Sequence, residues 1–144
     1  MAIMSAEELF SDGQAITATA ASTNVIDFGS PGTWIHGTSA ITDDKGNSAI
    51  CLGIQVTETF DNLTSLDITL QKDDNAAFGS ATTIFTENIV LASLVAGKKT
   101  AVRVIPYSAD EPYLRVNYTV NGSAPSVGKV TAGVIELENP WGNR

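Results

Sequence analysis

Alternation of apolar and polar residues runs through most of this chain, and it reads as β-structure. The clearest stretch is Tyr113-Leu-Arg-Val-Asn-Tyr-Thr-Val120, where Leu114, Val116, Tyr118 and Val120 share one face and Tyr113, Arg115, Asn117 and Thr119 the other. A period of two built from β-branched and aromatic residues predicts a half-buried strand. The run Lys129 to Leu137 repeats the pattern, with Gly133 inside it as the sign of a bulge or a close backbone approach. Between them, Asn121 to Gly128 is rich in turn formers and starts on Asn-Gly, so the two runs are expected to form a hairpin.

The first half gives the same reading. Ile50, Leu52, Ile54 and Val56 alternate with Cys51, Gly53, Gln55 and Thr57, and Leu66, Ile68 and Leu70 alternate with Asp67, Thr69 and Gln71. These two strands are expected to pair across the turn Asp61 to Thr64. Further strands are expected over Gln14–Ala21, Val25–Phe28, Ala81–Thr86 and Thr100–Ile105. The stretch Ile89 to Ala96 reads as a strand end followed by a short helical turn closed by Gly97. Thr42 to Ser48 reads as a polar loop. Ser5 with Glu8 has the spacing of a capping box, which predicts one helical turn stopped by Ser11-Asp-Gly13. Eight or nine short strands with frequent turn signals predict an all-β fold: a single-domain jelly roll, or antiparallel β-sandwich of about eight strands, over residues 1–144. Residues 1–13 are expected to be an N-terminal arm and residues 139–144 a C-terminal tail.

Composition narrows the function. The chain has 144 residues, 43% of them hydrophobic, which is enough for one core. Its net charge of -8 repels nucleic acid phosphate and anionic lipid, so neither is expected as a partner. No apolar run reaches the ~18 residues that a membrane span requires. The start of the chain lacks the basic and apolar segments of a signal peptide, so the protein is expected in soluble form in a reducing compartment. The single cysteine, Cys51, excludes an internal disulfide and reads as a small buried residue.

Catalytic constellations are sparse. His36 is the only histidine, so no His-based triad or His pair for a metal can be assembled. Asp43-Asp44 and Asp73-Asp74 read as solvated loop charge, and Glu58, Asp61 and Asp67 as a weak candidate for a carboxylate pair. No glycine-rich phosphate loop or G-x-S-x-G is present. The expectation is a protein that is not an enzyme, has no cofactor and takes no small-molecule substrate. Lys98-Lys99 is a small cationic spot, and Trp34 and Trp141 stand in loop-like or terminal segments.

Several stretches together resemble a known family. They are Glu8 to Ala20, Ser22 to Gly29, Val56 to Leu66, Tyr113-Leu-Arg-Val-Asn-Tyr118 and Gly128-Lys-Val-Thr-Ala-Gly133. In order and spacing they are similar to the capsid cement, or decoration, proteins of tailed bacteriophages, of the type first recognised in a Bordetella phage. The resemblance implies a jelly-roll virion protein on the outer surface of an icosahedral head, made in the bacterial host cytoplasm. It implies binding to the major capsid protein and to itself as a homo-oligomer, a dimer rather than a trimer, so that neighbouring subunits are tied together. The rival expectation is a carbohydrate-binding β-sandwich of a tail or spike, with Trp34 beside Tyr107 or Tyr113 as its platform. Leu9, Phe10, Trp34, Tyr107 and Trp141 are the expected protein-interface residues. Removal of residues 1–12 is expected to spare the fold and weaken capsid binding.

Overall fold

The computed structural model describes residues 2–27, 50–100, 103–104 and 111–137. The strands are β1 (Ala2–Ala15), β2 (Ala20–Ala21), β3 (Ile26–Asp27), β4 (Ile50–Glu58), β5 (Leu63–Asp73), β6 (Thr82–Val90), β7 (Arg103–Val104), β8 (Tyr113–Gly122) and β9 (Lys129–Leu137). A four-stranded sheet has the order β1-β9-β4-β7, and a five-stranded sheet has β2-β8-β5-β6 with β3 also on β8. All pairings are antiparallel.

The winding follows one rule. The first strand pairs with the last, β2 and β3 with β8, β4 with β7, and β5 with β6. The chain is thus one long antiparallel ribbon. Rolling it up brings β4 against β9 and β5 against β8 and closes the two sheets. This is the jelly roll, and the expected all-β sandwich holds.

Alternation fixes what faces inward. In one sheet Leu52, Ile54 and Val56 lie opposite Val134, Ala132 and Val130; in the other, Leu66, Ile68 and Leu70 lie opposite Val120, Tyr118 and Val116. All but Val120 are buried, and Val120 packs against the same cluster from its margin. Burying a side chain of this size contributes ~1.5–3 kcal/mol relative to exposure.

Two expected hairpins do not form. β8 and β9 lie in different sheets, and so do β4 and β5. Each connection crosses the end of the sandwich. Phe60 and Pro125, one in each connection, are buried there, which pulls the chain over the core. The two corners then lock together. Asp61 accepts hydrogen bonds from the Ser126 amide (2.6 Å), the Val127 amide (3.2 Å) and the Ser126 hydroxyl. Glu58 accepts from the Gly128 amide at 3.0 Å. Gly128 has φ 140°, and a Cβ there would stand 2.3 Å from the Phe60 ring, so no larger residue fits.

The helical turn expected at Ser5–Phe10 is absent: those residues belong to β1 and pair with β9. A single capped turn yields to a ladder of backbone bonds on a long neighbouring strand. Residues 16–19 are not strand, so the strand expected over Gln14–Ala21 breaks into the end of β1 and the short β2. The turn expected after residue 89 is present as a 3-10 turn over Leu91–Ser93, which folds Leu94 into the core. The side chain of Cys51, all of His36 and the loop Thr42–Ser48 lie outside the described residues.

Candidate functional site

The expected interface residues divide sharply. Phe10 is fully buried in the core cluster, so it supports the fold rather than a surface contact. Leu9 points the other way, as strand alternation requires, and is half-buried opposite Gly133. Trp34, Tyr107 and Trp141 lie outside the described residues. Tyr113 is half-buried on the strand that carries the outer polar face of the five-stranded sheet.

The segment expected to be an arm is instead fastened from both sides. Ser11 is buried and donates to Gln14 Oε1 at 2.7 Å. Its only hydrogen is thereby used, so the 2.8 Å contact with Tyr118 has the tyrosine hydroxyl as donor. Gln14 Oε1 also accepts from the Thr23 amide and hydroxyl, and Gln14 Nε2 donates to the Ala21 carbonyl. Asn24 closes the group by donating its amide to the Phe10 carbonyl and Nδ2 to the Leu9 carbonyl. Tyr118 belongs to one sheet and Ser11 to the other, so this buried chain of bonds ties the sheets together. Burial pushes the Tyr118 hydroxyl above its usual range, and the bond to Ser11 offsets that in part. It stays protonated, as the donor role demands.

The acidic candidates are committed to structure. Asp73 was expected to be solvated but is buried at the exit of β5. It accepts from the Asn75 amide, the Ser80 amide and the Ser80 hydroxyl. Burial alone would raise its carboxyl, but the bond shared with Asp74 and these donors outweigh it and hold it at about 2. Asp74 moves upward because it shares that bond. Asp67 accepts from Asn88, and Glu58 sits 3.7 Å from Lys129. Asp61 is lowered chiefly by the Ser126 hydroxyl in the corner clasp.

What sequence reasoning did not single out is the side of β6 that has no strand beside it among the described residues. Among the described residues this strand ends its sheet. Thr82, Thr83, Thr86, Asn88 and Val90 on it are exposed. A groove of about 350 Å³ runs between its second half and residues 98–100. The far wall is held by β4: Val56 donates to the Lys98 carbonyl at 2.8 Å, and Thr100 donates to the Ile54 carbonyl at 3.1 Å. Lys98 and Lys99 line this groove and are exposed. Among the described residues, neither forms an ion pair, whereas Lys72 meets Glu111 at 2.7 Å. The cationic pair was visible in sequence; the strand edge beside it was not.

Comparison with known proteins places most of the chain in one family. A family model described as Bbp16 matches residues 10–135. No curated protein matches the chain.

Proposed function

The chain belongs to the Bbp16 family, and from that premise we propose that it is a structural virion protein of a tailed bacteriophage. It binds the outside of the icosahedral head and cements neighbouring major capsid subunits. Three things support the reading: the resemblance to phage decoration proteins, the family match over residues 10–135, and a jelly-roll sandwich. The observation that carries it most is how the polar groups are used. The described carboxylates of Asp61, Asp67 and Asp73 close corners, rungs and loops of the fold. What the described residues offer outward is surface: a hydrogen-bonded polar sheet face, the outer strand β6 and a groove lined by Lys98 and Lys99.

Adhesion of this kind needs modest contacts repeated many times. Interfaces of ~800 Å² per partner suffice for specificity, and attachment of an oligomer at several points strengthens the hold without new contacts. The test is co-sedimentation of the purified chain with expanded, undecorated heads of its phage. Saturable binding and a higher disruption temperature of the shell are expected. A chain that stays in the supernatant at tens of micromolar would remove this function.

A further inference from the structure

The Asn121-Gly122 pair reads as a turn in the sequence, yet it forms the last two residues of β8. Asn121 lies opposite Ser65 on β5, and Gly122 opposite Leu63. Glycine is demanded at the second position: Gly122 has φ 91°, and a Cβ on it would stand 2.4 Å from Thr64 Oγ1. The corner therefore places a glycine directly after an asparagine. In that pair the asparagine side chain is most open to attack by the next backbone amide, because glycine has no side chain to shield its nitrogen. The fold restrains this asparagine. Its Nδ2 donates to Ser65 Oγ at 3.1 Å, and Asn88 Nδ2 on β6 donates to the same oxygen at 3.0 Å. Ser65 is buried, so its neighbours cover the contact.

We propose that Asn121 is a guarded deamidation site, unreactive while the end of β8 is paired with β5 and reactive once that end opens. The Gly122 nitrogen gives its proton to solvent base and attacks Asn121 Cγ. The N–Cγ bond forms, the Cγ–Nδ2 bond breaks, and ammonia leaves with a proton from water, closing a five-membered imide. Water then adds to Cγ, which gives aspartate, or to the main-chain carbonyl carbon, which gives isoaspartate. Ring closure turns the Asn121–Gly122 peptide out of the extended range, so strand pairing blocks it. The bond to Ser65 holds the side chain by the very nitrogen that has to leave. Gly122 is exposed at the strand's end, so opening there is local and does not require the whole domain to unfold. The two products differ in consequence. Aspartate exchanges a donor for an acceptor, which the Ser65 hydroxyl meets with its own hydrogen. Isoaspartate lengthens the main chain by one carbon just before the corner where the Ser126 and Val127 amides bond Asp61.

Nothing in this chemistry requires the head, so the full chain alone serves for the test. Incubation in mildly alkaline buffer, followed by peptide mapping with mass spectrometry, reads the fraction of Asn121 converted to aspartate and isoaspartate. Conversion in the native chain should be at least ~tenfold slower than in the same chain in guanidinium chloride. Ser65→Ala removes the acceptor and should speed conversion in native buffer several-fold. Thr69→Ala, on the same strand, instead loses the contact with Thr86 (3.2 Å) and should leave the rate unchanged, which separates loss of the guard from a general loosening of the sheet. Circular dichroism shows whether the two variants are folded, and the comparison of native with denatured wild type stands without them. Equal rates in the native and denatured chain, no conversion in denaturant, a folded S65A as slow as wild type, or a T69A as fast as S65A would overturn the proposal.

Discussion

Among the described residues β1 and β6 both end their sheets, yet they differ in how the edge is built. β1 is irregular, with register shifts between Met4 and Leu9, Leu9 and Ser11, and Ser11 and Gln14. Bulges twist an edge away from would-be partners. Its second half is also fastened inward by Phe10, Ser11 and Gln14. β6 has one register shift, opposite Leu70 and Gln71, and then pairs residue for residue up to Val90. Its outer side chains are small and exposed. The difference teaches that the molecule concentrates its stabilising contacts on closing one edge and keeps the other regular.

The strongest way to break the comparison is at Phe10. Phe10→Ala should cost ~3–5 kcal/mol, because a fully buried ring leaves a cavity. Thr83→Ala, an exposed side chain on β6, should stay within ~0.5 kcal/mol. Chemical denaturation of both variants checks this, and equal effects would erase the distinction. The same contrast reverses the expectation that removal of residues 1–12 spares the fold: that deletion takes Phe10 and Ser11 from the core and bares β9.

Tyr118→Phe gives a smaller effect that sharpens the account of the latch. It removes the donor to Ser11 while sparing the bond from Ser11 to Gln14, at a cost of ~1 kcal/mol. Amide exchange should quicken in the second half of β1 and stay unchanged in β6. Uniform quickening would mean that the bond does not fasten β1 in particular.

Acid gives the smallest effect and acts on the other edge. The β1 latch is neutral, whereas the loop leading into β6 hangs on Asp73. The Asp73 carboxyl falls from the ordinary 3.8 to about 2 in the folded chain. Its contribution is therefore present above about pH 4 and is lost as pH falls toward 2. Asp61 acts in the same direction; Asp74, raised, opposes it and shrinks the net change. The Ser80 amide resonance should titrate with a midpoint near pH 2, while the Ser11 and Gln14 amides stay still. A midpoint at the ordinary aspartate value would show that the buried clasp does not hold the carboxylate.

Much of this was legible in the residues. Period-two runs named β4, β5, β8 and β9 and the faces they bury, because alternation is a property of a strand by itself. Asn121-Gly122 and Asp61 to Thr64 were legible as turns but misleading as hairpins. A turn signal says that the chain reverses, and not whether it reverses within a sheet or from one sheet to the other. The buried Phe60 and Pro125 decide that, and their burial depends on what stands opposite.

The sequence by itself determined that this is an all-β sandwich with a given inner face, and the proposal of adhesion starts from its resemblance to phage decoration proteins. Only the tertiary structure decided that strands pair from the ends of the chain inward, that the N-terminal stretch is a tied strand, and that β6 ends its sheet among the described residues. The reason is physical. Which face is apolar follows from neighbours one and two residues away. Which strand lies alongside, and what remains uncovered, follows from residues as far apart as Ser11 and Tyr118, and these meet only when the ribbon has rolled up.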